Sequence, residues 1–153
     1  MMASVLLKSR MEAKVRPAAA ALGIRGLPLP SPPGLMRLLL VDPDRSTREA
    51  VAAWSSDHPW IDVDVFASAQ EALTRSTGVC YDLCLLDYAL DGVDGVMLGA
   101  MIRTLNPAAQ LVLMCEAVSG PLEHSAVEHG FQAVLAKPLG PPELDRVLGR
   151  LTR

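Results

Sequence analysis

From residue 36 onward the apolar positions change period in a regular way. Leu38, Leu39, Leu40 and Val41 form an unbroken apolar run, the pattern of a strand buried on both faces. Residues 83–86 repeat it, and further four-residue runs follow at 111–114 and 133–136. Ile61, Val63 and Val65 alternate with Asp62 and Asp64, which predicts a strand with one face in water. Helical signals separate these runs. Ser46-Thr47-Arg48-Glu49 and Ser68-Ala69-Gln70-Glu71 each read as a capping box, opening helices that run to about Trp54 and Gly78. Asp91-Gly92-Val93-Asp94-Gly95 is a turn-rich loop ahead of a helix of about ten residues, which Asn106-Pro107 stops. Residues 121–129 predict a fourth helix. Pro141-Pro142-Glu143 opens a fifth, with Leu144, Val147, Leu148 and Leu151 on one face. Five strands and five helices in strict alternation predict an α/β fold: a doubly wound parallel sheet with helices on both sides.

The first 34 residues break this pattern. They hold Pro17, Pro28, Pro30, Pro32 and Pro33 and an Ala run at 18–21, a composition that builds no core. The expectation is a disordered leader over 1–34 and one domain over 35–153, with Met36 as an alternative translation start. Charge divides at the same place. Lys8, Arg10, Lys14, Arg16 and Arg25 face only Glu12, whereas the remainder carries nine basic and sixteen acidic residues. An acidic body disfavours direct nucleic-acid binding, which needs a Lys/Arg surplus. No apolar run approaches the ~18 residues of a membrane span. Three Cys make an odd count without zinc spacing, so neither a disulfide framework nor a zinc site is expected. The expected location is the cytoplasm.

Doubly wound sheets place ligands beyond the carboxyl ends of their strands. Here Val41 is followed by Asp42, Leu86 by Asp87, Met114 by Cys115 and Glu116, and Ala136 by Lys137. Singly, each has a plain alternative: Asp42 as a helix cap, Asp87 as a solvated loop residue, Lys137 as a surface lysine. Together on one sheet edge, two carboxylates and an ammonium can hold a divalent cation and a phosphoryl group. A carboxylate can also attack phosphorus to give an aspartyl phosphate.

With those residues in place, residues 36–153 resemble a response-regulator receiver domain. The carrying stretches are Leu38-Leu39-Leu40-Val41-Asp42, Asp82-Leu83-Cys84-Leu85-Leu86-Asp87, Asp91-Gly92-Val93-Asp94-Gly95 and Ala136-Lys137-Pro138. The resemblance implies a flavodoxin-like fold with strand order 2-1-3-4-5. It implies Asp87 as phosphoacceptor, served by a histidine kinase or phosphotransfer protein. Asp42, Asp87 and the Ala89 backbone carbonyl would hold Mg²⁺, and Lys137 would bind the phosphoryl group. The chain departs from the family at four positions. Pro43 replaces a second acid, with Asp44 one residue further on. Cys115 replaces the Ser/Thr that binds the phosphoryl group, and a thiol is a weaker donor. Glu116 replaces a small residue and adds negative charge, and Val134 replaces an aromatic switch. Weak Mg²⁺ binding follows as an expectation.

The leading expectation is therefore a stand-alone, non-enzymatic receiver, since only one helix follows Lys137. It would signal by docking to an unidentified downstream protein or by relaying the phosphoryl group. The alternative is a phosphorylation-independent interaction module. A third reading takes Asp42-Pro43-Asp44 as the D-x-D of haloacid-dehalogenase-type phosphatases. Those enzymes need a further acidic pair after the lysine, and here only Glu143 and Asp145 follow, on a helix. Cys84 is expected to be inert and buried. The thiol of Cys115 would be held protonated by Asp87 and Glu116. His58, His124 and His129 are expected on the surface without carboxylate partners.

Overall fold

In the computed structural model, which describes residues 28–151, the apolar runs divide by parity. Leu39 and Val41, Cys84 and Leu86, and Leu111 and Leu113 enter one core, with Ala72, Leu98, Ile102 and Ala126 against them. Leu38 and Leu40, Leu83 and Leu85, and Val112 and Met114 enter a second, with Val51, Trp54, Leu144 and Leu148. Successive strand residues point to opposite faces, so an unbroken apolar run needs helices on both sides.

The elements are β1 (Met36–Val41), α1 (Arg45–Ser56), β2 (Ile61–Phe66), α2 (Ala69–Ser76), β3 (Leu83–Asp87), α3 (Gly95–Leu105), β4 (Gln110–Cys115), α4 (Gly120–Glu128), β5 (Phe131–Ala136) and α5 (Pro141–Leu151). The strands are all parallel, in the order β2-β1-β3-β4-β5. Helices α2, α3 and α4 line one face of the sheet, and α1 and α5 the other.

Most helix starts follow the sequence signals. Ser68 caps α2 by accepting from Glu71 N, Asp94 caps α3 through Met97 N, and Ser119 caps α4 through Leu122 N. The first helix differs from expectation. Its cap is Asp44, whose carboxylate accepts from Ser46 N at 3.1 Å, so the Ser46 capping box does not form. Glu49, expected to close that box, pairs with Arg45 instead, at 2.8 Å. Asp is a favoured cap residue, and with Asp44 in that role the helix starts two residues earlier than the Ser46 box predicts. Strand β5 begins at Phe131, two residues before the predicted run. There the β4–β5 register shifts between Leu111 and Val112, and Gln132 Oε1 accepts from Leu111 N at 3.1 Å.

The leader assigned by composition to 1–34 lies outside the described residues up to position 27. Residues 28–34 are tied to the domain. Leu29 pairs with Val79, Cys80 N donates to Leu29 O at 2.7 Å, and Ser31 Oγ donates to Asp82 Oδ2 at 2.6 Å. No helix among the described residues is long and apolar enough to cross a membrane.

Candidate functional site

The sheet ladder carries on one residue beyond several strands, and this is what aims the site. Asp42 N donates to Phe66 O at 3.0 Å, Tyr88 N to Met114 O at 2.8 Å, and Lys137 N to Cys115 O at 2.8 Å. In register, Val41 lies beside Leu86 and Cys115 beside Ala136. The residues ending β1, β3, β4 and β5 are therefore held on rigid backbone at one edge, as the sequence predicts.

Lys137 Nζ is the centre. It donates to Asp42 Oδ2 at 2.9 Å and Oδ1 at 3.2 Å, and to Asp87 Oδ1 at 3.4 Å. The Glu116 carboxylate stands 3.8 Å away. The plain alternatives for these residues do not hold. Asp42 is fully buried, Asp87 is 5% exposed, and the Lys137 side chain is 6% exposed. The Lys137–Pro138 peptide is cis.

Burial pushes the Asp87 carboxyl above its ordinary range, and the Asp42 charge adds to this against the opposing pull of Lys137. For Lys137, burial alone would favour the neutral amine. The hydrogen bond and charge of Asp42, then those of Asp87, outweigh it and hold the ammonium protonated. Cys115 is raised by burial first, then by Asp87 and Glu116, which keeps it a thiol as expected. Its Sγ faces Leu135 O at 3.9 Å. Cys84 is buried and pushed far above the ordinary thiol range, chiefly by burial.

The fate of Asp44 is decided by geometry. Its carboxylate is taken up by Ser46 N, Ser46 Oγ and Thr47 Oγ1 as the cap of α1. Its backbone N–H instead donates to Asp42 Oδ1 at 2.9 Å. Arg48 has no local signal marking it for this site. Its Nη1 donates to Asp42 O at 2.9 Å and Pro43 O at 2.8 Å and clamps the β1–α1 turn from outside.

Among the described residues, no three His, Cys, Asp or Glu side chains gather as a metal cage. Mg²⁺ in phosphoryl-transfer sites usually takes only one or two carboxylates, with water and phosphate oxygens completing its shell. Asp42 and Asp87 fit that minimal set, and Ala89 lines the same opening as Asp87. That opening is a groove of about 800 Å³ between α3 and α4, walled by Tyr88, Met97, Leu122 and Ser125. A smaller cavity of about 300 Å³ lies on the other side of Lys137, lined by Thr47 and Leu139. Glu116 borders both.

His129 lines the groove that opens onto Asp87, and the other two histidines have carboxylate partners, contrary to expectation. His124 Nε2 is 3.1 Å from Glu128, an i,i+4 spacing visible in the sequence. His58 Nε2 is 3.7 Å from Asp145, a pair that only α1–α5 packing creates.

Comparison with known proteins gives the same picture. The model of the response regulator receiver domain matches residues 38–148. The chain is 29% identical over 116 residues to transcription factor SKN7 of Chaetomium thermophilum, covering 74% of this chain and 15% of that protein. It is 29% identical over 112 residues to the cyclic di-GMP phosphodiesterase response regulator RpfG of Xanthomonas campestris, covering 71% of this chain and 30% of that one. The chain thus spans less than a third of either relative. A CheY-like receiver domain protein from Methanospirillum hungatei superposes with a TM-score of 0.70 at 23% identity, covering 77% of this chain and 94% of its own. That likeness shows the fold.

Proposed function

Because the chain belongs to the response regulator receiver family of two-component systems, a signalling fold that generally binds Mg²⁺ at this pocket, we propose that Asp87 accepts a phosphoryl group from a histidine kinase or phosphotransfer protein. The observation that carries the reading is the convergence of Asp42 and Asp87 on one buried ammonium. In the transfer, the P–N bond of the donor phosphohistidine breaks and a bond forms between phosphorus and an Asp87 carboxylate oxygen. The nitrogen leaves with the electron pair. Lys137 turns its ammonium toward the phosphoryl oxygens and offsets the charge they carry in transit. Asp42 holds Lys137 in place, and Arg48 holds the Asp42 backbone. Bound Mg²⁺ would add further charge neutralisation, held through Asp42, Asp87 and the Ala89 carbonyl. We take its binding to be weak, since Pro43 offers no ligand and Asp44 is committed to its helix cap.

The phosphorylated form signals by docking to a downstream protein or by passing the group on. Direct nucleic-acid contact is not part of the reading, given the acidic body, and neither is a membrane. The cytoplasm, where kinases meet ATP, is the proposed location. A second reading, a phosphorylation-independent interaction module, draws on the thiol of Cys115 and on Val134 where the family carries its switch residues. One experiment separates them. Intact-mass analysis with a small phosphodonor, with and without Mg²⁺, should show one added phosphoryl group on the wild type and none on Asp87→Asn. An unlabelled wild type would favour the interaction module, and labelling that survives in Asp87→Asn would remove the assignment.

A further inference from the structure

Three carboxylates face one ammonium at the mouth of the site. Asp42, Asp87 and Glu116 lie 2.9, 3.4 and 3.8 Å from Lys137 Nζ. Two of them are buried and set the acceptor chemistry. The third, Glu116, has an 84% exposed side chain and stands on the ridge between the groove that opens onto Asp87 and the cavity beside Lys137. A donor reaching Asp87 through the groove brings its phosphoryl oxygens past that carboxylate. Its cationic partner, Lys137, is shared with the shorter contacts to Asp42 and Asp87, so the ammonium offsets the Glu116 charge only in part.

We propose that Glu116 is a charge gate that selects among phosphodonors, disfavouring small free donors in proportion to their negative charge. The proposal rests on Asp87 being the acceptor and deepens that reading by naming the donor class: one with low net negative charge at its phosphoryl end. The magnitude follows from Coulomb's law. One unit of donor charge held ~6 Å from Glu116 under nearly water-like screening changes the encounter roughly threefold. A dianionic donor is therefore slowed roughly tenfold and a monoanionic one roughly threefold. Because Glu116 is exposed, salt should erase most of the effect.

The test uses the full chain and two small donors, dianionic acetyl phosphate and phosphoramidate, which is monoanionic overall. Asp87 labelling rates are followed by intact mass in wild type, Glu116→Gln and Glu116→Ala, at low and high salt. The expected result is that both variants react faster, with the ratio of acetyl phosphate to phosphoramidate rates rising about threefold at low salt and little at high salt. An unchanged ratio with normal labelling overturns the gate and leaves Asp87 as acceptor. A ratio that rises only in Glu116→Ala makes the effect one of side-chain size and also overturns the gate. Absence of labelling in all three proteins with both donors overturns the acceptor reading and the gate with it.

Discussion

Gly95 opens α3 directly against the acceptor strand, and adding one methyl there tests how tightly fold and site are joined. A Cβ at position 95 would lie 2.9 Å from the Asp87 carbonyl carbon and 2.9 Å from Leu113 Cδ1, and closer still to the Asp87 carbonyl oxygen. Ordinary contact begins at 3.4 Å, so the helix start must retreat by at least about half an ångström. Neither neighbour can yield cheaply. Leu113 is fully buried, and the Asp87–Tyr88 segment is pinned by Tyr88 N to Met114 O at 2.8 Å and by Gly95 N to Tyr88 O at 3.0 Å. Overpacking of this kind costs roughly 1–3 kcal/mol. Ala regains up to about 1 kcal/mol over Gly in helix propensity. Gly95→Ala should therefore lose about 1–2 kcal/mol net, equivalent to a fall in Tm of roughly 4–8 °C for a domain of this size. Urea unfolding followed by circular dichroism measures the first effect. A slower Asp87 labelling rate would report the second, because the displaced carbonyl belongs to the acceptor residue. Gly149 is the internal control: it is exposed on α5 with no atom within 4 Å of a built Cβ. Gly149→Ala should gain roughly 0.5 kcal/mol. If Gly95→Ala matched or exceeded wild-type stability while Gly149→Ala behaved as stated, the close approach of α3 to Asp87 would be wrong.

Three further outcomes are expected. Pro43→Asp should tighten Mg²⁺ binding by ~10-fold or more, because even an outer-shell partner is typically worth ~10–100-fold; magnesium titration by NMR checks it, and an unchanged affinity would mean that another group already supplies the ligand. Tyr81 donates to Asp64 Oδ2 at 2.6 Å, and burial first, then the Asp64 charge, push its phenol far above the ordinary value of 10.0. Above that pH the unfolded chain loses the Tyr81 proton and the native chain keeps it, so stability should fall by about 1.4 kcal/mol per pH unit. Tyr81→Phe should remove that share of the alkaline slope and cost about 1.5–3 kcal/mol at neutral pH for a hydrogen bond to a charged group; unfolding curves at pH 7 and above 10 read both. Finally, a Cys115→Thr, Val134→Tyr double variant should enlarge the amide shifts around His124, Val134 and Leu144 that a phosphoryl mimic produces, whereas large shifts in the wild type would show a switch that needs neither residue.

The local pattern of the chain determined the architecture. Apolar runs of strand length, broken by capping and turn residues, specify which segments are buried and on how many faces, because side-chain direction repeats every two residues in a strand and every 3.6 in a helix. The order of elements then leaves few ways to close a parallel sheet, and the polar residues that end the runs, Asp42, Asp87, Cys115 and Lys137, fall at one edge together. What the pattern could not carry was the competition for partners. Asp44 had two places to put its carboxylate, and only the path of the β1–α1 turn committed it to Ser46 and Thr47. Arg48 was an unmarked helix residue until that turn brought two carbonyls within reach of its guanidinium. The attachment of residues 28–34 to Val79 and Asp82, and of His58 to Asp145, likewise joins positions far apart in the chain. Hydrogen bonds and charges act over a few ångströms in space, so residues distant in sequence become partners only when the packed sheet and helices set those distances.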